Sequence, residues 1–134
     1  MSENSKFEIR NKSEMRNNDN QKPYDLEDRT FNFAKASRRF VKALPRTIAN
    51  IEDVKQLVRA SGVDWGQLHR SQRSNWKKDF VMKVKICRRE AKESGYWLRL
   101  LDTGEKLEVQ RDNLVGEATE LMKIFGAIIR ESEE

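Results

Sequence analysis

Turn-forming residues are scarce in this sequence. Its 134 residues include two prolines and six glycines, which excludes a fold rich in tight turns. Charged residues make up 37% of the chain, and the straight side chains of Glu, Lys and Arg lose little rotamer freedom in a helix. We therefore expect long helices joined by short loops.

Long apolar runs and metal-binding residue types are also missing. No apolar run approaches the roughly 20 residues of a membrane span, and the N-terminus lacks the apolar core of a signal peptide. The single cysteine, Cys87, cannot form an internal disulfide, and His69 is the only histidine. We expect a cytoplasmic protein without membrane contact, metal or cofactor. We expect no catalytic residues and no enzyme, because no nucleophile pair or glycine-rich phosphate loop can be recognised.

The charge balance is basic. The net charge of +5 favours an acidic partner such as nucleic acid, whose phosphates attract Lys and Arg. Many proteins carry a similar excess for solubility alone, so both interpretations stay open.

Apolar spacing predicts the first two helices. Helix one begins with Asp25 as N-cap and ends before Pro45. Its apolar residues at helical spacing are Leu26, Phe33, Ala34, Phe40, Val41 and Leu44. Asn50 is predicted to cap helix two, with Glu52 and Asp53 complementing the dipole in the first turn. The buried stripe predicted for helix two consists of Ile51, Val54, Leu57 and Val58.

The strongest pattern predicts helix three, which begins near Asp79. Its apolar positions alternate four and three apart, which is the heptad seam of a helical bundle. They are Phe80, Val84, Cys87, Ala91, Ser94, Leu98 and Leu101. A turn at residues 102–104 and a bridge at residues 107–110 lead to helix four, capped by Asn113. Helix four carries Leu114, Ala118, Leu121, Met122, Phe125 and Ile128.

These segments predict an all-α fold, an antiparallel up-down four-helix bundle over residues 23–134. Residues 1–22 are polar and are predicted to form a disordered tail. Residues 62–76 lack periodicity, so their secondary structure stays open.

Two basic helix faces are candidate nucleic-acid-binding sites. The face on helix one has few acidic residues nearby and consists of Lys35, Arg38, Arg39, Lys42 and Arg46. The face on helix three consists of Lys78, Lys85, Arg88, Lys92 and Arg99. The second face has an alternative interpretation as a solvated surface partly neutralised by Glu90 and Glu93. Tyr96 and Trp97 could stack on bases or, as we rather expect, pack between helices or subunits.

The chain resembles the small bacterial proteins encoded in intervening sequences of large-subunit ribosomal RNA genes. The matching stretches are YDLEDRTF at 24–31, IEDVKQLVRASG at 51–62, KKDF at 77–80, ICRREAKES at 86–94 and EATELMKIF at 117–125. The resemblance implies a four-helix bundle that assembles into a ring, with a pentamer as the expected form. It also implies kinship with an accessory protein of a reverse transcriptase, and RNA rather than DNA as the bound nucleic acid. A reverse transcriptase or a ribosomal component is the implied protein partner.

The stretch that departs from this family could match it if its codons were read in a frame shifted by one base. Family members continue after the second matching stretch through Ala-Asn-Tyr-Ile-Glu-Ala-Asn-Glu, whereas this chain has GQLHRSQR at 66–73. Codons exist for GQLHRSQR that spell the family's eight residues when read one base later. We therefore hypothesise an insertion near Gly62 compensated by a deletion near Trp76. The alternative is a genuine loop of this lineage.

Overall fold

The fold is described by a computed structural model that covers residues 23–62 and 76–133. All regular secondary structure in these ranges is helical, and it comprises four α-helices and one short 3₁₀ turn. The helices are α1 (Pro23–Val41), α2 (Ile48–Ser61), α3 (Trp76–Leu100) and α4 (Glu108–Glu133). The prediction of an all-α fold with four helices is confirmed. The predictions for residues 1–22 and 63–75 lie outside the described residues.

The start of α1 differs from the prediction. The helix begins at Pro23, so Asp25 already lies inside its first turn and the prediction that Asp25 is the N-cap is wrong. Proline suits the first position of a helix because the N–H that it lacks would have no partner inside the helix.

The start of α2 is set by Thr47 and not by Asn50. The Thr47 side chain accepts a hydrogen bond from the backbone N of Asn50 at 3.1 Å, which satisfies one of the free N–H groups of the first turn. The prediction that Asn50 is the cap is therefore wrong. Glu52 and Asp53 accordingly lie beyond the first turn, which contains no acidic residue.

Asn50 instead joins two distant loops. Its buried side chain donates from Nδ2 to the carbonyl oxygens of Pro45, at 2.9 Å, and of Asp102, at 2.8 Å. Its Oδ1 accepts from the backbone N of Asp102 at 3.0 Å. One amide thus fixes the α1–α2 loop against the chain that leaves α3.

The later helices begin earlier than predicted. The first helical residue of α3 is Trp76, ahead of Asp79. Gly104 adopts φ 67°, a conformation that glycine tolerates, at the turn predicted for residues 102–104. The 3₁₀ turn Glu105–Leu107 then leads directly into α4 at Glu108. The predicted bridge over residues 107–110 and the Asn113 cap are therefore wrong.

The helices enclose one apolar core. Helix α1 packs against α2 and α4, and these two helices also pack against α3. The predicted α3 seam is confirmed, since Phe80 is half-buried and the other six positions are buried. In α2, Leu57 is buried as predicted, but Ile51 is exposed because it lies about 120° around the helix from Leu57. Ile129 of α4 joins the core without having been predicted.

The core also contains an ion pair between α1 and α4. Arg29 donates from Nε and Nη2 to the two carboxylate oxygens of Glu117, both at 2.8 Å. The two side chains are 2% and 4% exposed. This two-bonded geometry matches the planar guanidinium to the carboxylate and fixes the register between the two helices.

Candidate nucleic-acid interface

The cations of helix one lie on the side of α1 that points away from the core. Phe33, Ser37 and Phe40 are buried, whereas the predicted cations are exposed. The exposed cations are Lys35, Arg38 and Arg39 within the helix, and Lys42 and Arg46 beyond its end. Lys35, Arg38 and Arg39 have the spacing i, i+3 and i+4, which places them on one side of the helix, and Lys42 and Arg46 follow in the loop beyond it. We call these five residues the α1 basic face.

The α1 basic face is not neutralised by acidic residues. None of its five cations forms an ion pair with a described residue. Arg38 donates from Nη1 to the carbonyl oxygen of Ala34 at 3.3 Å, a bond that leaves its charge uncompensated. An uncompensated cluster of cations produces a positive potential at the surface and attracts anions.

The predicted cations of helix three are exposed as well. Lys78, Lys85, Arg88, Lys92 and Arg99 all lie on the surface of α3. Lys85 is paired with Glu133 of α4 at 3.3 Å. The side chain of Arg88 lies beside Gly126 of α4. We call these five residues the α3 basic face.

The acids expected to neutralise the α3 basic face point toward α2 instead. Arg59 of α2 contacts Glu90 at 3.1 Å and Glu93 at 2.9 Å. The hydrogen bond that Arg59 donates to Glu93, followed by the charge of Glu90, raises the pKa of Arg59 above its ordinary value. Arginine is charged at neutral pH in any case, so the pair persists through the physiological range. Glu90 and Glu93 therefore hold α2 to α3.

The two basic faces are not brought together. The backbones of α1 and α3 do not approach each other closely over their described residues, and each helix packs against both α2 and α4. They therefore occupy diagonal positions, so one straight strand of nucleic acid cannot lie on both faces of one molecule at once. Each face must be considered as a separate surface.

The aromatic residues near the α3 basic face have different surroundings. Trp97 is half-buried and packs against the core, while the neighbouring Tyr96 is exposed. Their rings meet edge-on, with centroids 5.1 Å apart and planes at 81°. The expectation of packing is confirmed for Trp97, and the Tyr96 ring remains accessible. Trp65 lies outside the described residues.

An aromatic residue on α1 was missed by the sequence reasoning. Phe31 is 64% exposed and precedes Lys35 by one helical turn, on the same side as the α1 basic face. The signal was available, because Phe31 falls outside the apolar spacing that includes Leu26 and Phe33.

The described residues line a small interior cleft. A cleft of about 20 Å³ lies between the helices and is lined by residues that include Ala60, Cys87 and Ala91. Its volume corresponds to about one water molecule. Within the described ranges, no three residues of the metal-binding types are grouped to hold an ion, and no helix is long and apolar enough to cross a membrane. We take the exposed basic faces as the candidates for function among the described residues.

Comparison with known proteins adds no relative: no protein-family model matches the chain, and neither does any curated protein or solved structure.

Proposed function

We propose that this protein is a non-enzymatic module that binds RNA through the α1 basic face. The observation that carries the proposal is the exposure of five cations, three on one side of α1 and two in the loop that follows it, none of them paired with an acid among the described residues. Phosphate groups would displace condensed counterions when they meet such a cluster, and counterion release favours binding. Nothing in the arrangement selects a base sequence through hydrogen bonds.

The α3 basic face is proposed as a second, weaker contact surface. The charge of Lys85 is already partly compensated by Glu133. The diagonal placement of α1 and α3 favours contact with two different strands or with two segments of a folded RNA.

We also propose that the helices run alternately up and down as an antiparallel bundle. Contacts between two pairs of neighbouring helices support this arrangement. Asn50 at the start of α2 bonds Asp102 just after α3, and Lys85 near the start of α3 pairs with Glu133 at the end of α4. Such alternation is expected when short loops connect the helices.

Self-association is a further part of the proposal. Exposed apolar residues on α3 include Met82, Ile86, Tyr96 and Leu100. Together with Arg89 and Glu93 they occupy positions that alternate four and three apart, which is a second heptad seam on the outside of the helix. We call this set the outer seam of α3. A homo-oligomer, pentameric if the family resemblance holds, would cover it and repeat the basic faces around an axis.

Kinship with the proteins of ribosomal RNA intervening sequences is proposed on the matching stretches. Arg29 and Glu117, which pair in the core, both lie within those stretches. A gene inside a ribosomal RNA gene or beside a reverse transcriptase would support the kinship and point to a ribosomal component or the reverse transcriptase as partner.

Charge reversal tests the proposed binding. Arg38, Arg39 and Lys42 are changed together to Glu, and binding to a labelled RNA strand is measured by fluorescence anisotropy. The matched control reverses three exposed lysines elsewhere, Lys55, Lys106 and Lys123, and so changes the net charge equally.

If the α1 basic face binds RNA, the first triple variant loses binding and the control retains most of it. Equal effects of the two variants would mean that only net charge matters and would contradict a defined site.

The second candidate function is a protein-interaction scaffold. The outer seam of α3 favours it, because exposed apolar residues in a heptad pattern suit a partner helix. Measuring the binding affinity at increasing salt concentration separates the two functions. The affinity of an apolar contact changes little with salt, whereas the affinity for phosphate groups falls steeply.

A further inference from the structure

Phe31 continues the α1 basic face toward the start of the helix. Lys35, Arg38 and Arg39 follow it by four, seven and eight residues, spacings that keep all four side chains on one side of α1, and Lys42 comes directly after the helix. The Phe31 side chain is 64% exposed. It makes no aromatic or cation–π contact with the described residues. The accessible ring thus lies between the cations of the face and the exposed acids Glu27 and Asp28, which precede it by one turn.

We propose that Phe31 is a base-stacking platform and that the α1 basic face binds single-stranded nucleic acid. This inference rests on the proposed function and names its ligand class. Proteins that bind single strands combine a cationic track for the phosphates with aromatic side chains on which the bases stack. The row from Phe31 to Lys42 has both parts and extends about 16 Å along the helix.

The ring explains why a single strand is favoured over a duplex. In a duplex the bases are already stacked on one another, and an exposed phenylalanine on a convex helix surface cannot reach their faces. In a single strand one base can turn toward Phe31 while the neighbouring phosphates meet Lys35 and Arg38. Phosphate contacts alone would bind both forms.

A contact with a second copy of the chain is a less suitable use of Phe31. A symmetric contact centred on the cations of the α1 basic face would bring them close to their own copies. Like charges placed opposite each other disfavour such a contact. An anionic strand instead covers Phe31 and the neighbouring cations with attraction at each cation, and the association state of the variants tests the contact between copies.

The test compares three labelled probes with the full-length protein. They are a short single-stranded RNA, a strand of equal length with the same phosphates but no bases, and the RNA duplex. The variants are Phe31→Ala, Phe31→Tyr, which keeps a ring, and Ile48→Ala, which removes another exposed apolar side chain. Circular dichroism and sedimentation verify that each variant keeps its fold and its association state.

We expect Phe31→Ala to weaken binding of the single-stranded RNA by roughly 5- to 150-fold, the range for loss of one stacked base. Binding of the base-free strand and of the duplex stays unchanged, as does the salt dependence, because no charge is removed. Phe31→Tyr and Ile48→Ala bind like the original protein.

Two outcomes overturn the inference. Equal binding of the base-bearing and base-free strands, with Phe31→Ala having no effect on either, shows that phosphates alone are recognised and leaves the proposed RNA binding intact. A changed association state in Phe31→Ala shows that a second copy covers the ring. Failure of the original protein to bind any probe at low salt is a different result, because it removes the proposed function itself.

Discussion

Arg29 and Glu117 form a two-bonded ion pair inside the core, although 88 residues separate them in the sequence. The pair joins α1 to α4 at a level where both helices are otherwise lined by apolar side chains. Removing two charges from water costs free energy, and attraction between them offsets that cost only while both partners are present. The pair therefore contributes more to fixing which residues of α1 and α4 lie opposite each other than to the stability of the fold.

Breaking this pair from one side should be more harmful than replacing both partners. Glu117→Leu leaves the Arg29 guanidinium buried without this carboxylate and should lower the free energy of unfolding by about 3–5 kcal/mol. The double variant Arg29→Met, Glu117→Leu should recover a large part of that loss, because the buried guanidinium is removed as well.

Denaturant unfolding followed by circular dichroism measures both variants. Glu131→Leu, at an exposed position on the same helix, serves as the control and should change stability little. A double variant that is less stable than Glu117→Leu would contradict this account of the pair.

Asn50 should stabilise the end of the molecule where two loops meet. Asn50→Ala removes three hydrogen bonds and leaves the backbone N–H of Asp102 without its acceptor. We expect a loss of about 2 kcal/mol in the free energy of unfolding, since each such bond contributes roughly 0.5–1.5 kcal/mol.

Asn32→Ala provides the matched control, because Asn32 is an exposed asparagine within α1. This variant should leave the free energy of unfolding unchanged or raise it slightly, since alanine is the better helix former. Hydrogen exchange should show faster exchange of the Asp102 amide in Asn50→Ala only. If the Asn32 and Asn50 variants unfold at the same denaturant concentration, the proposed role of Asn50 is contradicted.

Periodicity predicted the parts of the fold that depend on apolar burial. The α3 seam from Val84 to Leu101 was predicted residue by residue because a heptad pattern admits one buried side. Helix starts were predicted poorly. Asn50 and Asn113 are good capping residues in isolation, but local propensity could not show that Asn50 bonds a distant loop or that α4 already begins at Glu108.

For the candidate site too, the sequence predicted which residues are exposed but not which helices contact each other. Exposure of the α1 cations follows from their spacing opposite Phe33 and Phe40. The sequence could not predict that Arg59 would engage Glu90 and Glu93, because that contact depends on how α2 packs against α3. Nor could it show that α1 and α3 lie diagonally, which separates the two basic faces.

Charges placed in the outer seam of α3 should weaken self-association. Ile86→Lys and Leu100→Glu would each force a charge into an interface that buries these positions. Sedimentation equilibrium should show a lower average mass for both variants at concentrations where the original chain is oligomeric.

Ile48→Lys is the matched control, since Ile48 is 87% exposed at the start of α2 and lies outside the seam. Masses that stay the same in the seam variants, or that fall equally in Ile48→Lys, would argue against the seam as the contact.

The frameshift hypothesis for residues 63–76 predicts a gain in stability. A variant in which residues 66–73 are replaced by Ala-Asn-Tyr-Ile-Glu-Ala-Asn-Glu should restore apolar contacts at the end of α2. Its melting temperature should rise by at least about 5 °C if such contacts are each worth roughly 1–3 kcal/mol.

A thermal melt without any rise would refute the hypothesis, as would gene codons that cannot be re-read one base later. The cations of the two basic faces all lie outside residues 63–75, so RNA binding should be the same in both forms.

The most direct test of RNA binding by the α1 basic face is the salt dependence of affinity for a single-stranded RNA. With four or five cations engaged, a plot of log K against log salt concentration should have a slope of about −3, since each neutralised phosphate contributes roughly −0.7. The Arg38, Arg39 and Lys42 charge-reversal variant should show no measurable affinity under the same conditions. A slope near zero, or equal affinities for the variant and the original protein, would contradict the account.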